Sequence, residues 1–345
     1  MLPSLPRGAE ILILRLRSLG DIVLETPAIA ALHSWRPDLR LSVAVEPWCA
    51  AALEGNPDVS EVILSRGFFA TAAVIRRRKF AAVFNQHGGP RSALLTALSG
   101  SAARVGWKGY QYSFAYNVKV PDGLEFYGRP FVHAVEHRLS QFYFCGLPRG
   151  PIPRVCVFPQ KDAVESVAEI LAGKGIALGA PYALLQPGAR LPGMGWPVSR
   201  YAAVARALRA SQGIASVVNL GPRDVEVASE ARSELQSVAA IADSLDARQL
   251  IALAAGASIF VGNDSGPAHI AAAAGKPCVV IFGVTNPVQW HPWEIDHRVV
   301  STDAEFHSIR GDKSVFVRAP RTIAQIPAEE VIRACDDLLR RTKQK

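Results

Sequence analysis

Three features of the sequence predict an α/β protein made of two doubly wound, parallel-sheet domains. The first is the stretch from Ile259 to Gly283, IFVGNDSGPAHIAAAAGKPCVVIFG, in which an apolar strand, a polar turn, an Ala-rich helix and a second apolar strand succeed one another. That order builds one unit of a parallel sheet. The second is that the same strand–turn–helix succession recurs along both halves of the chain. The third is the segment Pro148 to Pro159, which carries Pro148, Pro151, Pro153 and Pro159 without periodicity and reads as a domain junction. Two such units imply a ligand cleft between them, and 345 residues are enough for two domains of ordinary size.

Within the opening stretch, Ile259 to Val261 is a strand that breaks at Gly262, and the turn Asn263-Asp264-Ser265-Gly266 leads into a helix reaching Gly275. Asp264 or Ser265 suits the N-cap, and Pro267 suits the first turn, where its missing N–H costs nothing. The free N–H groups of that turn, with the positive end of the helix dipole, form a site for an anion such as a diphosphate, and His269 can add a donor. The plainer alternative is that Asp264 only caps. The four alanines from Ala271 let the helix lie close to its sheet, and Cys278 to Phe282 forms the next strand.

From the N-terminus, Glu10 to Arg15 is a short apolar strand followed by Leu16-Arg17-Ser18-Leu19-Gly20-Asp21 and a helix from about Ile22 to Trp35. This turn has neither a Walker lysine nor a Gly-x-Gly-x-x-Gly fingerprint, so it is not read as a nucleotide cradle. What it presents is the carboxylate of Asp21 at the C-terminal edge of the first strand, the edge that faces the ligand in open parallel sheets. Leu41 to Val45, the segment after Asn56-Pro57, and Ala81 to Phe84 are further strands, the last ending in Asn85-Gln86-His87-Gly88-Gly89-Pro90-Arg91-Ser92. Asp21, Glu46 and His87 are thereby delivered to one rim, and one of them is the candidate catalytic group. His133, Glu136 and His137 share helical spacing, but without a zincin-like partner set they read as a surface face and no metal site is assigned.

The second half repeats the pattern. Tyr182 to Gln186 is a strand entering the glycine-rich loop Pro187 to Pro197, with a helix from Ser199. Ala215 to Leu220 ends in Gly221-Pro222-Arg223-Asp224 before another helix, and a helix from Asp246 to Ala255 precedes the opening stretch. Pro327 to Arg341 is an amphipathic closing helix with a basic tail. The expected organisation is therefore residues 1–155, residues 156–326 and a closing segment 327–345.

With 49% apolar residues and no uninterrupted apolar run of 18, nothing is expected to span a membrane, and MLPSLPRGAE does not read as a signal peptide. Five cysteines, Cys49, Cys145, Cys156, Cys278 and Cys335, lack Cys-x-x-Cys spacing and read as buried thiols of a cytoplasmic protein. Charge is uneven: residues 1–155 hold 18 Lys+Arg against 11 Asp+Glu, the remainder 20 against 19. A surplus of seven on one domain favours a polyanionic partner, the alternative being a merely solvated surface. Its sharpest part, Arg76-Arg77-Arg78-Lys79, lacks the aromatic interleaving of a nucleic-acid platform, so no nucleic-acid partner is expected.

Six ordered segments resemble glycosyltransferase family 9, the ADP-heptose heptosyltransferases of the lipopolysaccharide inner core. They are RSLGDIVLETPAI, NPDVSEVI, RSALLTALSGSAARVGW, QPGAR…GWPVSRY, LGPRDVEVA and GNDSGPAHIAAAAGKP, and they run through most of the chain. The resemblance implies the GT-B fold, two Rossmann-like doubly wound domains facing a central cleft, with acceptor bound by the first and nucleotide sugar by the second. It implies an inverting, metal-independent transfer of heptose from ADP-heptose to an anionic lipopolysaccharide precursor, with no cofactor, in the cytoplasm or peripherally at the cytoplasmic face of the inner membrane. The sequence accordingly contains no Asp-x-Asp. A different NDP-sugar or acceptor, or a nucleotide- or glycan-binding protein without turnover, are the alternative readings.

Residue by residue, Asp21 matches the family's general base. Acceptor contacts then fall to Arg17, Ser18, Gly20, His87, Arg91 and the cluster Arg76, Arg77 and Arg78. Donor contacts fall to Pro187, Gly188, Arg190, Arg223, Asn263, Asp264, Ser265, Gly266 and His269, with Asp264 either orienting sugar hydroxyls or capping. One position departs from the pattern: where the family commonly carries a lysine two residues before Trp196-Pro197, this chain has Met194, and Arg190 is the cation that can compensate.

Overall fold

The computed structural model describes residues 1–189, 195–222, 224–309 and 313–343. The chain divides into two compact units, Met1–Val155 with Ser308–Val315, and Cys156–His307 with Phe316–Lys345.

Unit 1 is built on six parallel strands: β1 (Glu10–Leu14), β2 (Arg40–Val45), β3 (Glu61–Leu64), β4 (Ala82–Asn85), β5 (Ala103–Trp107) and β6 (Val118–Val120). Their order is β3-β2-β1-β4-β5-β6, so the chain reverses its direction of winding between β1 and β4. At such a switch point the following loops diverge to opposite faces and leave a crevice at the strand C-termini. After Glu10, β1 is apolar because helices cover both faces; Ile11, Leu12, Ile13 and Leu14 are fully buried.

Unit 2 repeats the design with β7 (Tyr182–Gln186), β8 (Ala215–Leu220), β9 (Ala240–Asp243), β10 (Ile259–Asn263), β11 (Cys278–Phe282) and β12 (His297–Ser301), all parallel. The order β12-β11-β10-β7-β8-β9 puts its switch point between β7 and β10. Central β10 passes so close to β7 that a Cβ added at Gly262 would lie 2.9 Å from the Gln186 Cβ and 3.0 Å from its carbonyl oxygen. Gly262→Ala is therefore expected to destabilise the protein by about 1–3 kcal/mol, measured by chemical denaturation, with the loss arising from overpacking. An unchanged midpoint would mean that β7 yields freely.

The closing helix Ala328–Lys343 belongs to the core of unit 2, where Val331, Cys335 and Leu338 are fully buried and Leu339 nearly so. Each of the Val and Leu side chains contributes about 2 kcal/mol by leaving water. All five cysteines are free; Cys156 is half-buried and the others are buried.

Several elements differ from expectation. The helix expected over Ile22 to Trp35 is two helices, Leu19–Val23 and Thr26–Trp35, parted at Leu24 and Glu25 where Pro27 opens the second. β5, β6, β12 and the two-stranded sheet Glu305–Ile309 with Lys313–Arg318 were not anticipated, being short and without clear alternation. The helix Ala134–Phe144, expected to show a histidine-bearing surface face, is largely buried. Its His133 accepts from the Val135 N–H as an N-cap, Glu136 pairs with Arg129, and His137 stacks on Trp107 with ring centroids 4.2 Å apart. Aromatic packing outweighed the polar pattern there.

Candidate active site

Asp21 occupies the first turn of the helix Leu19–Val23, just beyond the C-terminal end of β1 at the unit 1 switch point. Ser18 is the N-cap, and it reaches Asp21 Oδ2 twice, through its hydroxyl at 2.9 Å and its N–H at 3.3 Å. The other oxygen, Oδ1, takes the guanidiniums of Arg15 and Arg138, the latter at 2.7 Å. Burial opposes the charge of this carboxylate, but the two arginines and the Ser18 hydrogen bonds outweigh it and hold Asp21 well below the usual carboxylate range. Asp21 is thus ionised, fixed in orientation and still 23% exposed.

A second acid stands behind it. Glu25, fully buried at the joint between the two helices, has Oε2 3.3 Å from Arg138 Nε, and neither of its oxygens accepts a hydrogen bond. Burial pushes its carboxyl up to about 7, against the downward pull of Arg138 and Arg15. Arg138 is itself buried, and its remaining nitrogen donates to the Ala134 carbonyl at 2.8 Å. Neither Arg138 nor Glu25 was among the expected site residues. Arg138 lies 117 residues from Asp21 with no local signal, whereas Glu25 was visible as a lone charge inside the apolar run Ile22 to Ile29.

Of the three candidate acids and bases on this rim, Asp21 is the carboxylate placed at the switch point between β1 and β4. Glu46 is taken by Trp48 Nε1 at 3.0 Å and Arg91 Nη1 at 3.1 Å. Burial, followed by Arg15 and Arg17, lowers His87 to about 4, so that its ring is neutral at neutral pH. Arg17 and Ser18 are exposed at the rim, and Gly20 is buried beneath it. Arg91 also donates to the Ser65 hydroxyl at 2.9 Å, and with Glu46, Trp48, Arg66 and Phe68 it lines a cavity of about 590 Å³ at the ends of β2 and β3.

The basic cluster Arg76, Arg77 and Arg78 is not brought to this rim. It ends the helix Phe68–Arg78, whose C-terminus lies at the opposite, N-terminal edge of the sheet. Arg78 there pairs with Glu10 and Glu61, the first residues of β1 and β3. The grouping has a local cause: cations complement the carbonyl end of their own helix.

In unit 2, the ends of β7 and β10 form the corresponding crevice. Ser265 is the N-cap of the helix Gly266–Ala273, but its hydroxyl donates to the Asn263 carbonyl at 3.2 Å and does not cap the turn. Pro267 brings no N–H to the first turn and Ala268 donates its own to the Ser265 carbonyl at 3.1 Å, so an anion at this helix start would be met by the Gly266 N–H and the positive end of the helix dipole. Asp264 is half-buried beside them, its N–H bonded to the Ile281 carbonyl, and His269 is buried, with its ring 6.4 Å from that of Trp290.

Asn263 holds the glycine-rich loop and does not project into the crevice. Its Nδ2 donates to the Pro187 carbonyl at 2.8 Å, and its Oδ1 accepts from the Trp196 N–H at 3.0 Å. Gly188 packs on Asp224 so closely that a Cβ would fall 2.1 Å from Asp224 Oδ1. Asp224 in turn accepts from the Gly221 N–H and Gln186 Nε2, and burial raises its carboxyl. The Gln186–Asp224 pair was not anticipated. Arg190, Met194 and Arg223 lie outside the described residues. Among the described residues, no group of three or more His, Cys, Asp or Glu side chains is placed to hold a metal ion, and no helix is long and apolar enough to cross a membrane.

Comparison with known proteins places this geometry in context. The chain is 27% identical over 345 residues to lipopolysaccharide heptosyltransferase 3 of Escherichia coli, spanning 93% of this chain and 96% of the relative. Its fold superposes on the glycosyltransferase family 9 structure from Veillonella parvula with a TM-score of 0.82 at 20% identity, covering 96% of this chain and 97% of that one. It superposes on Escherichia coli ADP-heptose lipopolysaccharide heptosyltransferase II with a TM-score of 0.79 at 21% identity, covering 97% and 99%. The two parallel six-stranded sheets are those of the GT-B fold. The model of glycosyltransferase family 9 (heptosyltransferase) matches residues 69–314, leaving Asp21 before its start. With that match over most of its length, the chain belongs to glycosyltransferase family 9 and is a glycosyltransferase.

Proposed function

We propose that the protein transfers heptose from ADP-heptose to an anionic lipopolysaccharide inner-core acceptor, with inversion and without a metal ion. The observation that carries the chemistry is Asp21, an ionised and oriented carboxylate at the switch point of unit 1. In this reading the Asp21 carboxylate takes the proton of the acceptor hydroxyl as that oxygen attacks the anomeric carbon. The bond from that carbon to the diphosphate oxygen breaks, and ADP leaves with the electron pair. Attack from the face opposite the leaving group inverts the anomeric centre.

The charge on departing ADP is met by the Gly266 N–H and the positive end of the helix Gly266–Ala273, which are preorganised and need no rearrangement as the charge develops. Arg190 and Arg223 are the cations proposed to assist. The acceptor is assigned to unit 1, whose surplus of positive charge and cavity beside Arg66, Arg91 and Trp48 suit an acidic sugar. The names of the relatives support both substrates. The enzyme is proposed to work in the cytoplasm, meeting its lipid-linked acceptor peripherally at the membrane face.

Calorimetric titration with ADP, UDP, GDP and NAD, with EDTA present throughout, tests the donor and the metal together. Selective binding of ADP is expected, followed by turnover of ADP-heptose on an inner-core acceptor. Preference for UDP or GDP would keep the fold and replace the donor. Loss of ADP binding in EDTA would overturn metal independence.

A further inference from the structure

We propose that Glu25 is a positioning residue that sets the basicity of Asp21 through Arg138, so that transfer depends on Glu25 being ionised. The inference rests on Asp21 acting as the base. It starts from a difficulty in that reading: four donors hold the Asp21 carboxylate, two from Ser18 and one each from Arg15 and Arg138. Every one of them favours the charged form, and a carboxylate so stabilised is a reluctant proton acceptor. When the acceptor proton reaches Asp21, both guanidiniums lose their counter-ion in a largely buried site.

The geometry supplies a compensation. Arg138 is a bridge, with Nη2 on Asp21 and Nε facing Glu25 at 3.3 Å. With Glu25 ionised, Arg138 keeps one anionic partner after Asp21 is neutralised, and the cluster of Arg15, Arg138, Asp21 and Glu25 passes from no net charge to one positive charge. With Glu25 protonated, the same step takes the cluster from one positive charge to two. The second passage is costlier, because like charges in a weakly polarisable interior repel strongly. Glu25 makes no hydrogen bond that would explain its burial otherwise. The charged and titratable groups around it are Arg15 after β1, Asp21 on the first helix and Arg138 on the helix Ala134–Phe144; His87 and Arg17 lie beyond, near Arg15, and Tyr110 near Arg138. Coupling between two such acids is mutual: whatever Asp21 adds to the proton affinity of Glu25, Glu25 adds to that of Asp21.

The test compares wild type, Glu25→Gln and Glu25→Asp by steady-state kinetics between about pH 5.5 and about pH 9. Glu25→Gln copies the protonated side chain in shape. In the wild type kcat should rise with pH through the ionisation of Glu25, near 7. Glu25→Gln should remain at the low-pH level throughout, about ten-fold down at pH 8, with the donor KM within about two-fold. Glu25→Asp, which restores a carboxylate, should recover the rising limb. A purely structural role would lower rate or stability without removing that limb. Infrared difference spectra give a second readout that needs no turnover: a protonated-carboxyl band should grow as pH falls through about 7 in wild type, move to lower pH in Asp21→Asn, which lacks the neighbouring negative charge, and be missing from Glu25→Gln. A limb that survives Glu25→Gln, or no such band in the wild type, overturns the assignment. Absent turnover in a wild type that shows the band would instead overturn the proposed function.

Discussion

Asp21→Asn is expected to lower kcat by roughly 10²–10⁴-fold, the range for loss of a positioned general base, while the dissociation constant for ADP stays within about two-fold. The two halves of this result have separate structural origins. Proton acceptance resides in a carboxylate held at the end of β1, and asparagine lacks the basic oxygen. Nucleotide binding is assigned to groups of unit 2, at the ends of β7 and β10. The substitution also turns an amide toward Arg15 and Arg138, which lose their counter-ion; some loss of stability is therefore expected alongside, and the rates must be compared on folded protein. Single-turnover kinetics with ADP titration on the same preparation checks both parts. Transfer at an undiminished rate would remove Asp21 as the base. A parallel loss of ADP affinity would mean that Asp21 serves the donor as well.

Arg138→Met should be the most destabilising single change at this site, by about 3–5 kcal/mol near pH 8, because it leaves the buried Glu25 carboxylate without a cation. The loss should depend on pH in a definite direction. The folded-state value for Glu25 is raised from 4.5 to about 7, so stability falls as pH rises between those two values and is level with respect to this group above about 7. Without Arg138 that value rises further, so the Glu25 part of the loss should vanish as pH falls toward 6, leaving the part due to the lost Asp21 ion pair. Pairing Arg138→Met with Glu25→Gln should recover part of the loss, with a coupling of about 1 kcal/mol or more in a double-mutant cycle at pH 8. Chemical denaturation of the four proteins at two pH values measures this. Additive losses that do not vary with pH would show that Glu25 and Arg138 are not electrostatically linked.

The legible part of the candidate site is local. Ser18 and Asp21 are three residues apart, and the capping geometry that ties them is a property of one helical turn. Ser265, Gly266 and Pro267 likewise announce a helix start within a single turn. The unread part is what crosses the chain. Arg138 meets Asp21 over 117 residues, and Asn263 meets Pro187 over 76. No periodicity or spacing encodes such a meeting. The family motif assigns Asn263 to the donor; in the fold both ends of its side-chain amide are bonded to the loop it anchors. Arg78 looked like part of an open basic patch because two arginines and a lysine adjoin it in sequence; in the fold it answers Glu10 and Glu61.

The sequence by itself determined the parallel α/β architecture, the position of the strands near each switch point and the family; it brought Asp21 to the rim as one of three candidates beside Glu46 and His87, and the family resemblance singled it out. These follow from hydrophobic runs of strand length, helix-start chemistry and ordered motifs, all of which act over a few residues. The tertiary structure alone decided which charges face one another. It set Arg15 and Arg138 on one oxygen of Asp21, buried Glu25 behind them, and sent the arginine cluster to the far edge of the sheet. The physical reason is that the energy of a charge depends on its depth and its neighbours, and both are fixed only when strands and helices distant in sequence have packed together.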